Sequence, residues 1–202
     1  MAPPTLKAGL GLLLLAPLLY ASAACSSPAP VRAQRPWQSL DVQVGMRSYD
    51  DLEPVEDQTT LGLEYVYERP GDAFGWGIGV SWGQQDGSES DGGATTDVEA
   101  DVYELTLGLR RSCDLSSSVR PYVGLGLSLT RVDATFTDAG GSSSDDDLGT
   151  GWFVRGGVLY DVSEALHVGL DARAAFWTDL DVEGTGWDTD HQQLALVVGY
   201  SF

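Results

Sequence analysis

From Trp37 to the C-terminus, hydrophobic and polar positions alternate one for one in short runs, and turn-forming residues separate the runs. A period of two predicts β-strands, because successive side chains of an extended backbone point to opposite faces. The final run, Leu194–Phe202, sets the pattern. Leu194, Leu196, Val198, Tyr200 and Phe202 form a bulky apolar row, and Ala195, Val197, Gly199 and Ser201 form a small one. Seven earlier runs repeat it. Leu40, Val42, Val44 and Met46 oppose Asp41, Gln43, Gly45 and Arg47; Leu61, Leu63, Tyr65 and Tyr67 oppose Gly62, Glu64, Val66 and Glu68. Phe74, Trp76, Ile78, Val80 and Trp82 alternate with Gly75, Gly77, Gly79 and Ser81. Tyr103–Arg110, Tyr122–Thr130 and Leu166–Phe176 follow suit. The run Trp152–Tyr160 is the least regular, since Phe153 and Leu159 share a face with Arg155.

Connections between the runs alternate in length. Arg69–Asp72, Arg111–Val119 and Asp161–Ala165 are short or modest, whereas Asp50–Gln58, Gly83–Asp97, Asp133–Thr150 and Thr178–His191 are long and polar. Eight runs with short turns at one end and long loops at the other predict an all-β fold, an eight-stranded antiparallel up-and-down transmembrane β-barrel. A soluble ligand-binding barrel would turn its apolar rows inward and carry long charged chains on the other face. Here that other face is mostly Gly, Ser and Thr with a few charges of both signs, which suits a narrow lumen, while the Leu, Val, Trp and Tyr rows suit lipid. Four bases, Arg47, Arg110, Arg155 and Arg173, and four acids, Asp41, Glu64, Glu104 and Asp171, fall on the lumen face. Unpaired buried charges are costly, so these eight are expected to pair and plug the lumen rather than leave an ion-conducting channel.

Composition adds location. Lys7 followed by the apolar stretch Ala8–Tyr20 and small residues reads as a secretion signal over residues 1–23, too short to span a membrane. Residues 24–36, rich in Pro and Ser, form a flexible lead into the barrel domain of residues 37–202. Two cysteines exist, Cys25 and Cys113. Cys25 lies in a degenerate lipobox, so lipidation, removal with a later cleavage, and a disulfide to Cys113 all stay open. The formal charge of -19, from 30 acids against 11 bases, argues against nucleic acid as a partner. The four long loops hold 19 acids and no Lys or Arg, which predicts an acidic crown that attracts divalent cations.

The apolar terminal row ending in Phe202, together with RPYVGLGLSLTR at Arg120–Arg131 and LHVGLDARAAF at Leu166–Phe176, resembles the small eight-stranded outer-membrane barrels of the OmpA membrane domain, OmpX and opacity-protein superfamily. The resemblance implies residence in the outer membrane of a Gram-negative-type bacterium. It also implies contact with outer-membrane lipid and lipopolysaccharide, and recognition of Tyr200 and Phe202 by the barrel assembly machinery. A monomer is expected, without an attached peptidoglycan-binding domain. It specifies no activity, because the superfamily includes structural anchors, adhesins, immune-evasion proteins and a few lipid-modifying enzymes.

Two local patterns offer chemistry. Asp179, Asp181, Glu183 and Asp190 sit at positions one, three, five and twelve of a calcium-loop spacing, though Gly186 replaces the hydrophobic position and no helices flank it. For an enzyme, His167 has Asp161 and Ser163 nearby in sequence, and His191 follows Asp188 and Asp190 at the outer rim. Neither forms a specific catalytic motif. The expected protein is therefore a non-enzymatic structural or interaction barrel without a resident cofactor, exposed at the surface, its external partner unnamed by the sequence.

Overall fold

The computed structural model describes residues 37–49, 57–69, 72–91, 94–113, 115–116, 118–138, 141–176, 179–182, 185–188 and 190–202. Eight strands form the wall: β1 (Trp37–Tyr49), β2 (Asp57–Glu68), β3 (Gly75–Asp91), β4 (Ala94–Ser112), β5 (Val119–Asp138), β6 (Gly141–Asp161), β7 (Leu166–Phe176) and β10 (His191–Ser201). Between the last two lies a small hairpin, β8 (Asp179–Val182) and β9 (Thr185–Asp188). Every neighbouring pair in the wall is antiparallel, and β1 closes the ring on β10 from Ser39↔Ser201 to Tyr49↔His191. Closure matters because lipid offers no hydrogen bonds to an open edge.

The apolar rows face outward. Leu40, Val44, Leu63, Ile78, Leu107, Leu127, Leu170 and Leu196 are all exposed, an exterior that only a hydrocarbon solvent makes favourable. Leu194 to Phe202 spans eight residue steps, about 20 Å of height at a tilt near 40°, close to the apolar band of such barrels. Aromatic residues mark both rims. Trp82, Tyr103, Trp152 and Phe176 stand at the loop end, and Phe74, Trp76, Tyr160, Tyr200 and Phe202 at the turn end.

Two of the four expected loops are largely strand. β3 and β4 pair without interruption up to Asp91↔Ala94, and β5 and β6 up to Asp138↔Gly141, so a four-stranded sheet stands above the band. The alternation continues there with its polarity reversed. Below Tyr103 the outward positions of β4 are Leu105, Leu107 and Leu109; above it they are Asp101, Glu99 and Asp97, while Val102, Ala100 and Val98 turn inward and are buried. Val132 and Ala134 do the same on β5. The reversal follows the solvent, because outside the band water lies on the outer face and the interior becomes the apolar side.

Candidate functional site: the plugged lumen and the acidic external sheet

All eight charged residues expected in the lumen occupy inward positions of β1, β2, β4, β6 and β7, seven of them buried and Arg173 half-buried. Their contacts gather them in three layers: the strands of a barrel tilt, so the register row Arg173, Arg155, Gly124 and Arg110 descends from β7 to β4 and spreads its bases over different heights.

At the turn end, His167 Nε2 hydrogen-bonds Asp41 Oδ1 at 3.0 Å, and Nδ1 hydrogen-bonds the Ser201 hydroxyl at 3.3 Å. Arg110 lies 3.8 Å from Asp41 and 3.3 Å from Glu68. Its guanidinium sits 3.8 Å from the Tyr122 ring centre and 5.2 Å from that of Trp37, both favourable cation–π positions. Trp37 also meets the His167 ring at a tilt and packs with Tyr122, Leu159 and Val197, closing this end with apolar surface.

In the middle, Arg155 of β6 bridges Glu64, across the barrel on β2, and Asp171 on the neighbouring β7, the latter through Nε at 3.0 Å and Nη2 at 2.9 Å. The Tyr122 hydroxyl donates to Asp171, and Gln43 donates to Glu64 at 2.9 Å.

At the loop end the arrangement is mirrored, with one acid between two bases. Glu104 Oε2 accepts from Arg47 and from Arg173, each at 2.6 Å. The Gln193 carbonyl accepts from both as well, at 3.1 Å and 2.8 Å. Arg47 continues to the Tyr49 hydroxyl, which donates to Gln58. Tyr49, Val98, Ala100 and Phe136 then form an apolar lid, with Val102 and Val132 packed as a second apolar pair on the same sheet.

The middle layer carries a net charge of one minus and the loop-end layer one plus, so the two layers complement each other along the axis.

Several partners were hidden from the sequence. Glu68, Tyr122, Tyr49, Gln58 and Gln193 complete the layers, yet nothing in their local pattern marks them as charge partners. His167 lies opposite Asp161 in the β6–β7 register, but its ring turns to Asp41. Asp161 pairs with Arg120 at 3.0 Å, and the Ser163 hydroxyl accepts from the amides of Ala165 and Leu166, capping its turn. His191 is not an exposed rim residue either. Its place opposite both Tyr49 and Ala175 carries β10 higher than the apolar row suggests and buries the ring against Tyr49.

On the outer face of the sheet, Asp101, Asp133 and Asp146 lie directly opposite one another on β4, β5 and β6. Arg131 reaches Asp133 at 2.9 Å and Asp146 at 3.4 Å, and the Asp133 hydrogen bond raises the affinity of its guanidinium for its proton. Trp82 donates to Asp101 at 3.0 Å. The calcium-loop spacing runs along the β8–β9 hairpin, where Asp179 pairs with Asp188 and Asp181 with Gly186. Glu183 lies outside the described residues, and among those described no three His, Cys, Asp or Glu gather as a metal site. Cys113 follows β4 and is disulfide-bonded, while Cys25, the signal and the lead lie outside the described residues. Tyr200 and Phe202 stack on each other at the turn-end rim, facing out.

The architecture has known counterparts. Neisserial surface protein A matches with a TM-score of 0.57 at 19% identity, over 83% of this chain and 97% of that one. A major outer membrane protein of Thermus thermophilus gives 0.55 at 15% identity, over 83% and 99%. Ail, the attachment invasion locus protein of Yersinia pestis, gives 0.54 at 17% identity, over 83% and 97%. At these identities the likeness is one of fold. A comparison with curated proteins gives no match. The family described as the outer membrane protein beta-barrel domain matches residues 16–202. With a closed eight-stranded wall, lipid-facing apolar rows and that match over nearly its whole length, the chain belongs to the outer membrane protein β-barrel family and resides in the Gram-negative outer membrane.

Proposed function

We propose that this barrel is a non-enzymatic structural or interaction protein of the cell surface, and that the acidic face of its external sheet is where it meets other molecules. The observation that carries this reading is the reversal of polarity above Tyr103, which converts a lipid-facing wall into a water-facing sheet of Asp and Glu. A sheet ordered so far beyond the membrane has no role in spanning it.

The alternatives have less support. A conducting pore needs a wet path, and the lumen is filled by paired charges. A lipid-modifying enzyme needs a nucleophile, a base and an oxyanion site. Asp41, His167 and Ser201 stand in the order of a hydrolytic triad, but the amides nearest the hydroxyl are already engaged: Ser201 donates to the Ala165 carbonyl and Phe202 to that of Gln38.

The partner should be cationic. The Ail structure holds a heparin analogue, sucrose octasulfate. By contrast, the outer sheet here carries Asp97, Glu99, Asp101, Asp133 and Asp146 against, among the described residues, the single base Arg131, so a polysulfate is repelled. Divalent cations bridging these acids to lipid phosphates, assembly through Tyr200 and Phe202, and a monomeric state belong to the same proposal. The test uses the full protein in nanodiscs, titrated with a lysine-rich peptide and with sucrose octasulfate. Binding of the peptide, weakened by Asp101→Asn with Asp133→Asn, supports the reading; preference for the polysulfate overturns it. Steady conductance in planar bilayers would overturn the plugged lumen.

A further inference from the structure

The eight arginines among the described residues divide by what they face. Arg47, Arg110, Arg155 and Arg173 meet carboxylates inside the lumen, Arg120 meets Asp161 at its mouth, and Arg131 meets Asp133 and Asp146 outside. Arg69 and Arg111 differ. Among the described residues neither has a carboxylate within ion-pair distance, Asp72 acting on Arg69 only from farther off in the same turn, and both occupy outward positions one step beyond the lipid-facing rows.

The register defines their surroundings. Tyr67, Trp76 and Leu109 lie side by side on β2, β3 and β4, so the next outward row toward the periplasm is Arg69, Phe74 and Arg111. Two strand spacings separate the arginine backbones, roughly 10 Å, which two arms of this length close on a group between them. Each guanidinium is already aimed. Arg69 Nε donates to the Tyr67 hydroxyl at 2.7 Å with its carbon 5.5 Å from that ring centre, and Arg111 Nη1 donates to the Ala73 carbonyl at 2.9 Å. A guanidinium has five N–H donors, so each keeps others for a ligand. Trp76 sits between the rings of Tyr65 and Tyr67, at 5.5 Å and 5.9 Å, and forms an interfacial aromatic floor. At the turn ends of other strands the exposed outward positions Tyr160, Leu166 and Tyr200 hold no charge. Among the described residues, the outward-facing bases of the turn end are therefore Arg69 and Arg111, on the β2–β4 side.

We propose that Arg69 and Arg111, above Tyr67, Phe74 and Trp76, bind the phosphate of an anionic phospholipid in the periplasmic leaflet. The site lies where headgroup phosphates meet the aromatic belt, with Leu63, Ile78 and Leu107 below it for the acyl chains. Planar donors match the phosphate oxygens. Selectivity follows from charge, since a zwitterionic headgroup brings its own ammonium to compete for the phosphate and an anionic one does not. The proposal rests on the outer-membrane placement and is independent of what the external sheet binds.

Native mass spectrometry of the full protein, released from micelles holding equal phosphatidylglycerol and phosphatidylethanolamine, tests it. Phosphatidylglycerol adducts should dominate, fall on the order of tenfold in the Arg69→Gln, Arg111→Gln double variant, and survive in Arg131→Gln. Inorganic phosphate should not displace them. Equal retention of the two lipids, adducts indifferent to the double substitution, or displacement by free phosphate would each overturn the assignment. Heat-dependent gel migration reports whether the variant is folded; should it not fold, the wild-type lipid preference and the phosphate competition decide.

Discussion

Replacing Glu104 by Gln removes one charge from the loop-end layer while keeping the shape of the side chain. Glu104 is fully buried and its Oε2 is the acceptor shared by Arg47 and Arg173, both at 2.6 Å. The amide leaves two guanidiniums inside the wall with no anion, and Gln193 supplies only a neutral carbonyl. Breaking a buried pair in this way costs about 3–5 kcal/mol, most of it the penalty on the charge left behind. With a urea dependence of about 2 kcal/mol per molar, the unfolding midpoint should fall by roughly 2 M. Equilibrium unfolding from phospholipid vesicles, followed by tryptophan fluorescence and gel migration, reads this directly. The control is the same substitution in an Arg47→Met, Arg173→Met background. With the bases gone, the cost should shrink below about 1 kcal/mol. Equal costs in the two backgrounds would show that Glu104 acts by packing and would refute the ion-pair account of the lumen.

Tyr122→Phe deletes the hydroxyl that donates to Asp171 but leaves Arg155 in place, and should lower unfolding stability by about 1.5–3 kcal/mol. Gly126→Ala would set a methyl 2.7 Å from Phe153 Cζ and against the Leu107 carbonyl, so a loss of about 1–3 kcal/mol in refolding experiments is expected. Binding of a lysine-rich peptide to the external sheet should weaken steadily as salt rises from about 50 to about 500 mM, because exposed acids are screened; salt-independent affinity would point to an apolar contact instead. Cys113 should resist alkylation until reductant is added, and peptide mapping of the unreduced protein would show directly whether Cys25 is its partner.

The sequence by itself determined the wall. Strict alternation, the small residues facing the bulky rows and the placement of turns are local properties, and a period of two admits only an extended backbone with two unlike faces. That the greasy rows point to lipid was also legible, because Gly, Ser and a balanced set of charges fill a narrow interior and would make a poor solvent face. Even Phe153 and Leu159, which spoil the regularity of their run, are explained: they are lumen residues, and Gly108 and Gly126 leave the space that the Phe153 ring occupies. Only the tertiary structure decided who meets whom across the lumen. Asp41 finds His167, 126 positions away, and Arg155 finds Glu64, 91 positions away, because closure of β1 on β10 and the stagger of each strand set their heights. The heights also placed His191 inside and carried β3 to β6 past the membrane. A search for one continuous apolar row stops at Tyr103, since the physical rule that organises the strand, apolar surface away from water, changes sides where the lipid ends.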